Sequence, residues 1–132
     1  MSVSIDHDVP AKILEVIDNV SVKGQPHVFG RPYITAYQLA IALDQRHPQI
    51  RAALGLPLGG VGIGDQHSFA PYLANQLSTH IQDHGDAYQV EGAFLSNQHV
   101  EGLTFGAPDG RILASFVQNG ADLSMFRRRV GA

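Results

Sequence analysis

Apolar residues in the first third of the chain recur at the spacing of amphipathic helices. The first helix is predicted to follow Asp8, an N-cap candidate, and it carries apolar side chains at Val9, Ile13, Val16, Ile17 and Val20. A second helix is predicted to begin at Thr35, because Gln38 lies three residues later and completes a capping box. This second helix is expected to run to about Arg46.

A glycine-rich segment separates two further predicted helices. Pro48 is expected to open a short helix that ends at Gly55, since proline is favoured at the first helical position. Residues 55–66 carry too many glycines for a helix and predict a loop. Ser68 then caps a helix predicted over Ser68–Gln82, whose buried stripe returns every fourth residue at Phe69, Leu73, Leu77 and Ile81.

The apolar period changes from four to two after Gly85. Three strands are predicted: one through Tyr88, Val90, Gly92 and Phe94, one over Leu103–Phe105, and one over Ile112–Val117. Turns are predicted at residues 96–98 and 107–110, and a short additional strand at His27–Phe29. The element order predicts an α+β fold, with N-terminal helices followed by a three-stranded antiparallel meander.

This order of helix, short strand, three helices and hairpin resembles a winged-helix arrangement. The segment Ile34–Ala40 is similar to the strand-into-helix entry of such domains. Ser68–Gln82 takes the position of the recognition helix, and Tyr88–Phe105 takes that of the wing. The residues from His47 to Gln66 depart from the pattern, because a short turn is usual between those helices. The resemblance raises DNA binding as one expected function.

The composition is that of one small domain with few charges. A chain of 132 residues suits a single domain over residues 1–132. Charged residues make up 16%, against about 25% in typical globular proteins. The absence of cysteine excludes disulfides, thiolate metal sites and cysteine nucleophiles. No apolar run approaches the roughly 20 residues that cross a bilayer, and no signal-peptide pattern is visible, so we expect a cytoplasmic protein without a membrane partner.

The distribution of charge favours a protein partner. The net charge is −3, and Ser68–Gln82 contains neither Lys nor Arg, whereas binding to phosphates needs several cations. Interface cores are depleted in charge, so an uncharged outward helix face suits a protein contact. The sequence therefore predicts a non-enzymatic regulatory or protein-interaction module that acts on a protein partner or as a homo-oligomer. The partner-binding candidates are Tyr72, Asn75, Gln76 and Thr79 on the helix, and Gly60, Gly62 and Gly64 in the loop.

A DNA-binding transcriptional regulator is the first alternative. In that case Tyr72, Asn75, Gln76 and Thr79 would face the bases, and Asn75 and Gln76 would read adenine edges. A cluster of three arginines would contact phosphates. These arginines are Arg127, Arg128 and Arg129, and they fall within residues 127–132, which are predicted to form a flexible basic tail.

A small metal-dependent or hydrolytic enzyme is the second alternative. It would use His67, His80 or His84, of which the last two are four residues apart and share a helix face. No nucleophile with a base and no carboxylate pair stands out, so no catalytic residue, cofactor or metal site is predicted. The Gly59–Gly64 loop before a helix invites an anion site, but it lacks the Gly-Lys-Ser/Thr ending of a P-loop.

A second candidate contact surface lies on the helix that starts after Thr35. Tyr37 and Ile41 stand outside its main apolar stripe. Burial of these two side chains between layers of the fold is the favoured interpretation.

Overall fold

The computed structural model describes residues 7–20, 30–59, 68–108, 110–113 and 123–129. Within these ranges the chain forms four α-helices: α1 (Val9–Asp18), α2 (Ala36–Arg46), α3 (Pro48–Leu54) and α4 (Phe69–His84). A single 3₁₀ turn, Gly85–Ala87, follows α4. The predicted strand at His27–Phe29 lies outside the described residues.

The helices form where the apolar periodicity and the cap residues predict them. The capping box of α2 is complete: Thr35 Oγ1 accepts the backbone N–H of Gln38 at 3.2 Å, and Gln38 Oε1 accepts the backbone N–H of Thr35 at 2.7 Å. Asp8 and Ser68 occupy the N-cap positions of α1 and α4, but neither side chain makes a capping hydrogen bond. The buried stripes of α1 and α4 are formed by Val9, Ile13, Val16, Ile17, Phe69, Leu73 and Leu77.

Five strands lie in the described ranges: β1 (Ile34–Thr35), β2 (Val90–Leu95), β3 (Thr104–Ala107), β4 (Gly110–Leu113) and β5 (Leu123–Arg128). β5 is the central strand of an antiparallel three-stranded sheet in the order β1-β5-β2. β3 and β4 form a separate two-stranded hairpin. The fold is α+β, as the sequence predicts.

The predicted meander is wrong, because β2 pairs with β5 and not with β3. The register places Gly92 opposite Phe126 and Leu95 opposite Leu123. Residues 96–103 separate β2 from β3, which is longer than the roughly two to five residues of a hairpin loop. A local turn does form there, since the backbone N–H of Gln98 donates to Ser96 Oγ at 3.1 Å.

The C-terminal arginines belong to the sheet and its edge. Arg127 and Arg128 lie in β5, and the backbone N–H of Arg129 donates to Gln89 O at 2.8 Å. This corrects the expected flexible tail for these three residues, because strand pairing and carboxylate partners hold them against the domain. Residues 130–132 lie outside the described residues.

The β3–β4 hairpin folds back over α2. The Phe105 ring stacks on the Tyr37 ring with centroids 5.6 Å apart and planes within 9° of parallel. Tyr37 is 6% exposed and Ile41 is 8% exposed, so this side of α2 is core and not a free contact surface. The favoured interpretation of these two residues is confirmed.

Replacement of the α2 cap should destabilise the fold. We expect Thr35→Ala to lower the free energy of unfolding by about 1 kcal/mol, because the backbone N–H of Gln38 loses its acceptor. Urea denaturation measures this change. Thr79→Ala is the matched control, because Thr79 is exposed within α4 and alanine favours helix there. An equal loss of stability in both variants would contradict the role of the cap.

Candidate functional site

α4 presents an outward face without charge along most of its length. Asn75, Ser78, Thr79 and Gln82 are exposed, and they recur three or four residues apart on one side of the helix. The opposite side is buried in the core. The outward-facing helix therefore lies at the surface and is not wrapped by the described part of the chain.

A groove runs between this helix and the sheet. It has a volume of about 300 Å³, and we call it the α4–β2 groove. Its lining contains apolar and neutral polar side chains and no charged group. The lining residues are Ser78, Ile81, Gln82, Gly92, Ala93, Phe94, Ser124 and Phe126.

The groove exists because two small residues face α4 at the end of the sheet. Gly92 lies opposite Phe126, and Ser124 lies opposite Phe94. A Cβ at position 92 would stand at an ordinary contact distance of 3.5 Å from Ile81 Cδ1, so the missing side chain leaves the floor of the groove bare. Phe94 lies two residues beyond Gly92 on the same face, and its side chain is 71% exposed.

The outer edge of β2 offers backbone groups beside the groove. β2 is an edge strand among the strands of the described ranges. The hydrogen bond from Arg129 N–H to Gln89 O fixes which residues bond to β5, since bonded and non-bonded pairs alternate in antiparallel sheets. By that alternation, the N–H and C=O groups of Gly92 and Phe94 point away from β5, towards the outer edge.

Carboxylates offset the charge of the three arginines. Arg127 Nε lies 2.7 Å from Glu91 Oε2, and its guanidinium lies 4.4 Å above the Tyr33 ring. Arg128 Nη1 lies 2.9 Å from Asp18 Oδ1. In the DNA-binding alternative, all three arginines are predicted to contact phosphates. In the structure, Arg127 and Arg128 instead form ion pairs with carboxylates of the same domain.

Arg129 contacts both carboxylates and backbone carbonyls. Its Nη1 lies 3.6 Å from Asp86 Oδ1 and 3.7 Å from Glu91 Oε1. Its Nε donates to Tyr88 O at 3.1 Å. The third arginine is therefore also engaged within the domain.

The N-terminus of α4 is occupied by the loop that precedes it. The backbone N–H of Phe69 donates to Pro57 O at 2.8 Å, and that of Ala70 donates to Leu58 O at 3.0 Å. Pro71 has no N–H to offer. These donors are therefore not available to an anion. Gly60, Gly62 and Gly64, the partner-binding candidates of the loop, lie outside the described residues.

Comparison of the chain with protein-family models, with curated proteins and with solved structures finds no match. The candidate site therefore rests on the geometry of this chain. Among the helices of the described ranges, none combines the length and apolar character that crossing a membrane requires.

The structure divides the helix candidates between two flanks of α4. Asn75 and Thr79 share the outward face with Ser78 and Gln82, which border the groove. At 100° per residue, Tyr72 and Gln76 fall on the flank away from the groove. Tyr72 is half-buried and stacks on Phe69 with centroids 6.4 Å apart.

Sequence reasoning missed Phe94 and the strand edge beside it. The alternation Tyr88, Val90, Gly92, Phe94 indicates only that Phe94 shares a strand face with Val90. Val90 is buried, whereas Phe94 is 71% exposed. The small residues Gly92 and Ser124 indicate the groove, but only once β5 is known to pair with β2.

Two histidines of the enzyme alternative lie in the C-terminal half of α4, on a different flank from the groove. His80 and His84 stack with centroids 6.3 Å apart, and Tyr88 packs against both. Burial raises the pKa of the Tyr88 phenol above its ordinary value. His67 lies outside the described residues, and the described ranges contain no group of three or more His, Cys, Asp or Glu residues arranged to hold a metal.

Loss of the Glu91 charge should weaken the attachment of β5. We expect Glu91→Gln to lower the free energy of unfolding by about 1–2 kcal/mol, because it removes the charge-assisted bond to Arg127, whose side chain is 17% exposed. Urea denaturation at low and high salt measures it. Asp86→Asn changes the same charge at a fully exposed side chain and should leave stability unchanged. Equal effects in both variants would exclude a specific role for the cross-strand pair.

Proposed function

We propose that this protein is a non-enzymatic regulatory module of winged-helix-like arrangement that binds a protein partner at the α4–β2 groove. The observation that carries the proposal is Phe94, a phenylalanine 71% exposed at the rim of an uncharged groove. An exposed apolar surface rimmed by neutral polar groups is typical of protein contacts. Burying one phenylalanine side chain stabilises a contact by about 1.5–3 kcal/mol.

The edge of β2 determines the form that such a partner takes. Backbone groups of Gly92 and Phe94 face outward beside the groove, so an extended segment of the partner can add a strand there. Strand addition supplies main-chain hydrogen bonds, and the groove then selects an apolar side chain of the partner. The neutral rim of Ser78, Gln82 and Ser124 favours an uncharged segment.

The element order supports the winged-helix-like part of the proposal. α1, β1, α2 and α4 precede two paired strands, β2 and β5, with one hairpin between them. α3 is the departure, since it stands between α2 and the helix in the recognition position. The β3–β4 hairpin packs on Tyr37, so its side chains serve the core of this domain.

Removal of the Phe94 ring should weaken partner binding without unfolding the protein. A photo-crosslinking residue at position 94 is expected to capture one protein in the native cell, and the same residue at position 113 is not. Leu113 is the matched control position, because it is a 38% exposed apolar residue on the separate hairpin. With the captured protein purified, Phe94→Ser should raise the Kd at least about tenfold and Leu113→Ser should not.

Self-association is tested in the same series by light scattering. If wild type forms a dimer and Phe94→Ser is monomeric, the partner is a second copy of this chain. Equal affinity of the Phe94→Ser and Leu113→Ser variants for the captured protein would refute the groove as the binding site.

Duplex DNA should not bind the protein at low salt. Arg127, Arg128 and Arg129 are engaged with carboxylates, and the outward face of α4 has no cation, so few phosphates can be neutralised. A gel-shift titration with random duplex DNA at 50 and 200 mM salt, against a basic DNA-binding domain as positive control, measures this. A salt-sensitive shift that weakens in Arg128→Ala would support the DNA-binding alternative instead.

A further inference from the structure

Three aromatic rings gather at the C-terminal end of α4, on a different flank from the groove. The His80 and Tyr88 rings have centroids 5.3 Å apart, and the His84 ring lies 6.3 Å from His80 and 6.2 Å from Tyr88. His80 is half-buried and His84 is exposed. Neither the proposed partner contact nor the core packing accounts for two imidazoles side by side at the surface.

The local backbone explains why these rings meet. His80 and His84 are one helical turn apart, so their side chains are neighbours. Gly85 then takes a positive φ of 54° and ends the helix, and the following 3₁₀ turn brings Tyr88 back against the imidazoles. The Arg129 guanidinium fastens this turn by donating to Tyr88 O at 3.1 Å and to Gly85 O at 3.5 Å.

Two neighbouring imidazoles have the chemistry of a chelate for borderline transition-metal ions. Zinc binds imidazole nitrogen at about 2.0–2.1 Å, so a tetrahedral ion shared by two rings sets their centres about 5 Å apart. The present separation is 6.3 Å, so the two rings must approach each other when they bind an ion. His84 is exposed at the surface, where its side chain has room to move.

The groups around the pair define its remaining chemistry. Asp83 is an exposed carboxylate beside the pair, while the charge of Asp86 is offset by Arg129 Nη1 at 3.6 Å. Tyr88 is half-buried, and its ring provides a packing surface for both imidazoles. Water would complete the coordination of an ion, which leaves exchangeable positions.

We propose that His80 and His84 chelate one divalent transition-metal ion of the Zn²⁺, Ni²⁺ or Cu²⁺ class, with Tyr88 as the ring that holds them in place. By the Irving–Williams order, we expect this nitrogen site to bind Cu²⁺ more tightly than Zn²⁺ or Ni²⁺. The site is independent of the groove, so it stands or falls without the proposed partner.

Titration of the full chain with zinc chloride tests the site. Calorimetry should show saturable binding, and the imidazole resonances of His80 and His84 should shift together during the titration. His80→Gln and His84→Gln should each weaken this binding at least about tenfold, since one imidazole cannot chelate. His99→Gln is the control, because His99 is an exposed histidine on the loop after β2 and should leave binding unchanged.

Tyr88→Phe separates packing from coordination. It keeps the ring and removes the hydroxyl, so zinc affinity should remain within about twofold of wild type if the phenol is not a ligand. Absence of zinc binding in wild type, unchanged affinity in the double variant of His80 and His84, or complete loss in Tyr88→Phe would each overturn the assignment.

Discussion

The pairing of β5 between β1 and β2 is the constraint on which the other features depend. Phe126 of β5 pairs with Ile34 of β1 on one side and with Gly92 of β2 on the other. One strand therefore connects the N-terminal part of the chain to the part that follows α4. Three consecutive arginines can sit in and beside this strand because carboxylates from α1, from β2 and from the turn after α4 meet them. Without those partners the strand would carry uncompensated, partly buried charge.

The central strand also sets the limits of the core. Where Phe126 pairs with Gly92, the missing side chain leaves the surface of the sheet bare beside Ile81 of α4. Two residues further along, the opposed pair is Phe94 and Ser124, and Phe94 is 71% exposed. The small side chains of Gly92 and Ser124 leave space between α4 and the sheet at this point. The surface that we propose for a partner therefore continues the hydrophobic core to the edge of the sheet.

Sequence reasoning predicted most of the local structure and little of the long-range pairing. The capping box at Thr35, the stripe of α4 and the end of that helix at Gly85 depend on neighbouring residues, and periodicity reveals them. The strand β5 was not predicted, because its buried residues, Leu123 and Phe126, are three apart and do not show the alternation of a strand. The carboxylates that neutralise its arginines lie 36 and 110 residues earlier, at Glu91 and Asp18, and no local pattern joins them. The exposure of Phe94 follows from tertiary geometry alone.

The remote pairing of β5 has a consequence for synthesis on the ribosome. A chain that has emerged only through β4 lacks the strand that lies between β1 and β2. Until β5 is in place, the backbone groups on both edges of β2 are exposed to solvent and to other nascent chains. The apolar surface that Phe126 covers in the folded protein is exposed as well. The three-stranded sheet can form only after residue 128 has been translated. The pairing of β1 with β5 joins residues that are far apart in the sequence, and such pairings form slowly. Unpaired strand edges favour misassembly until that pairing is complete.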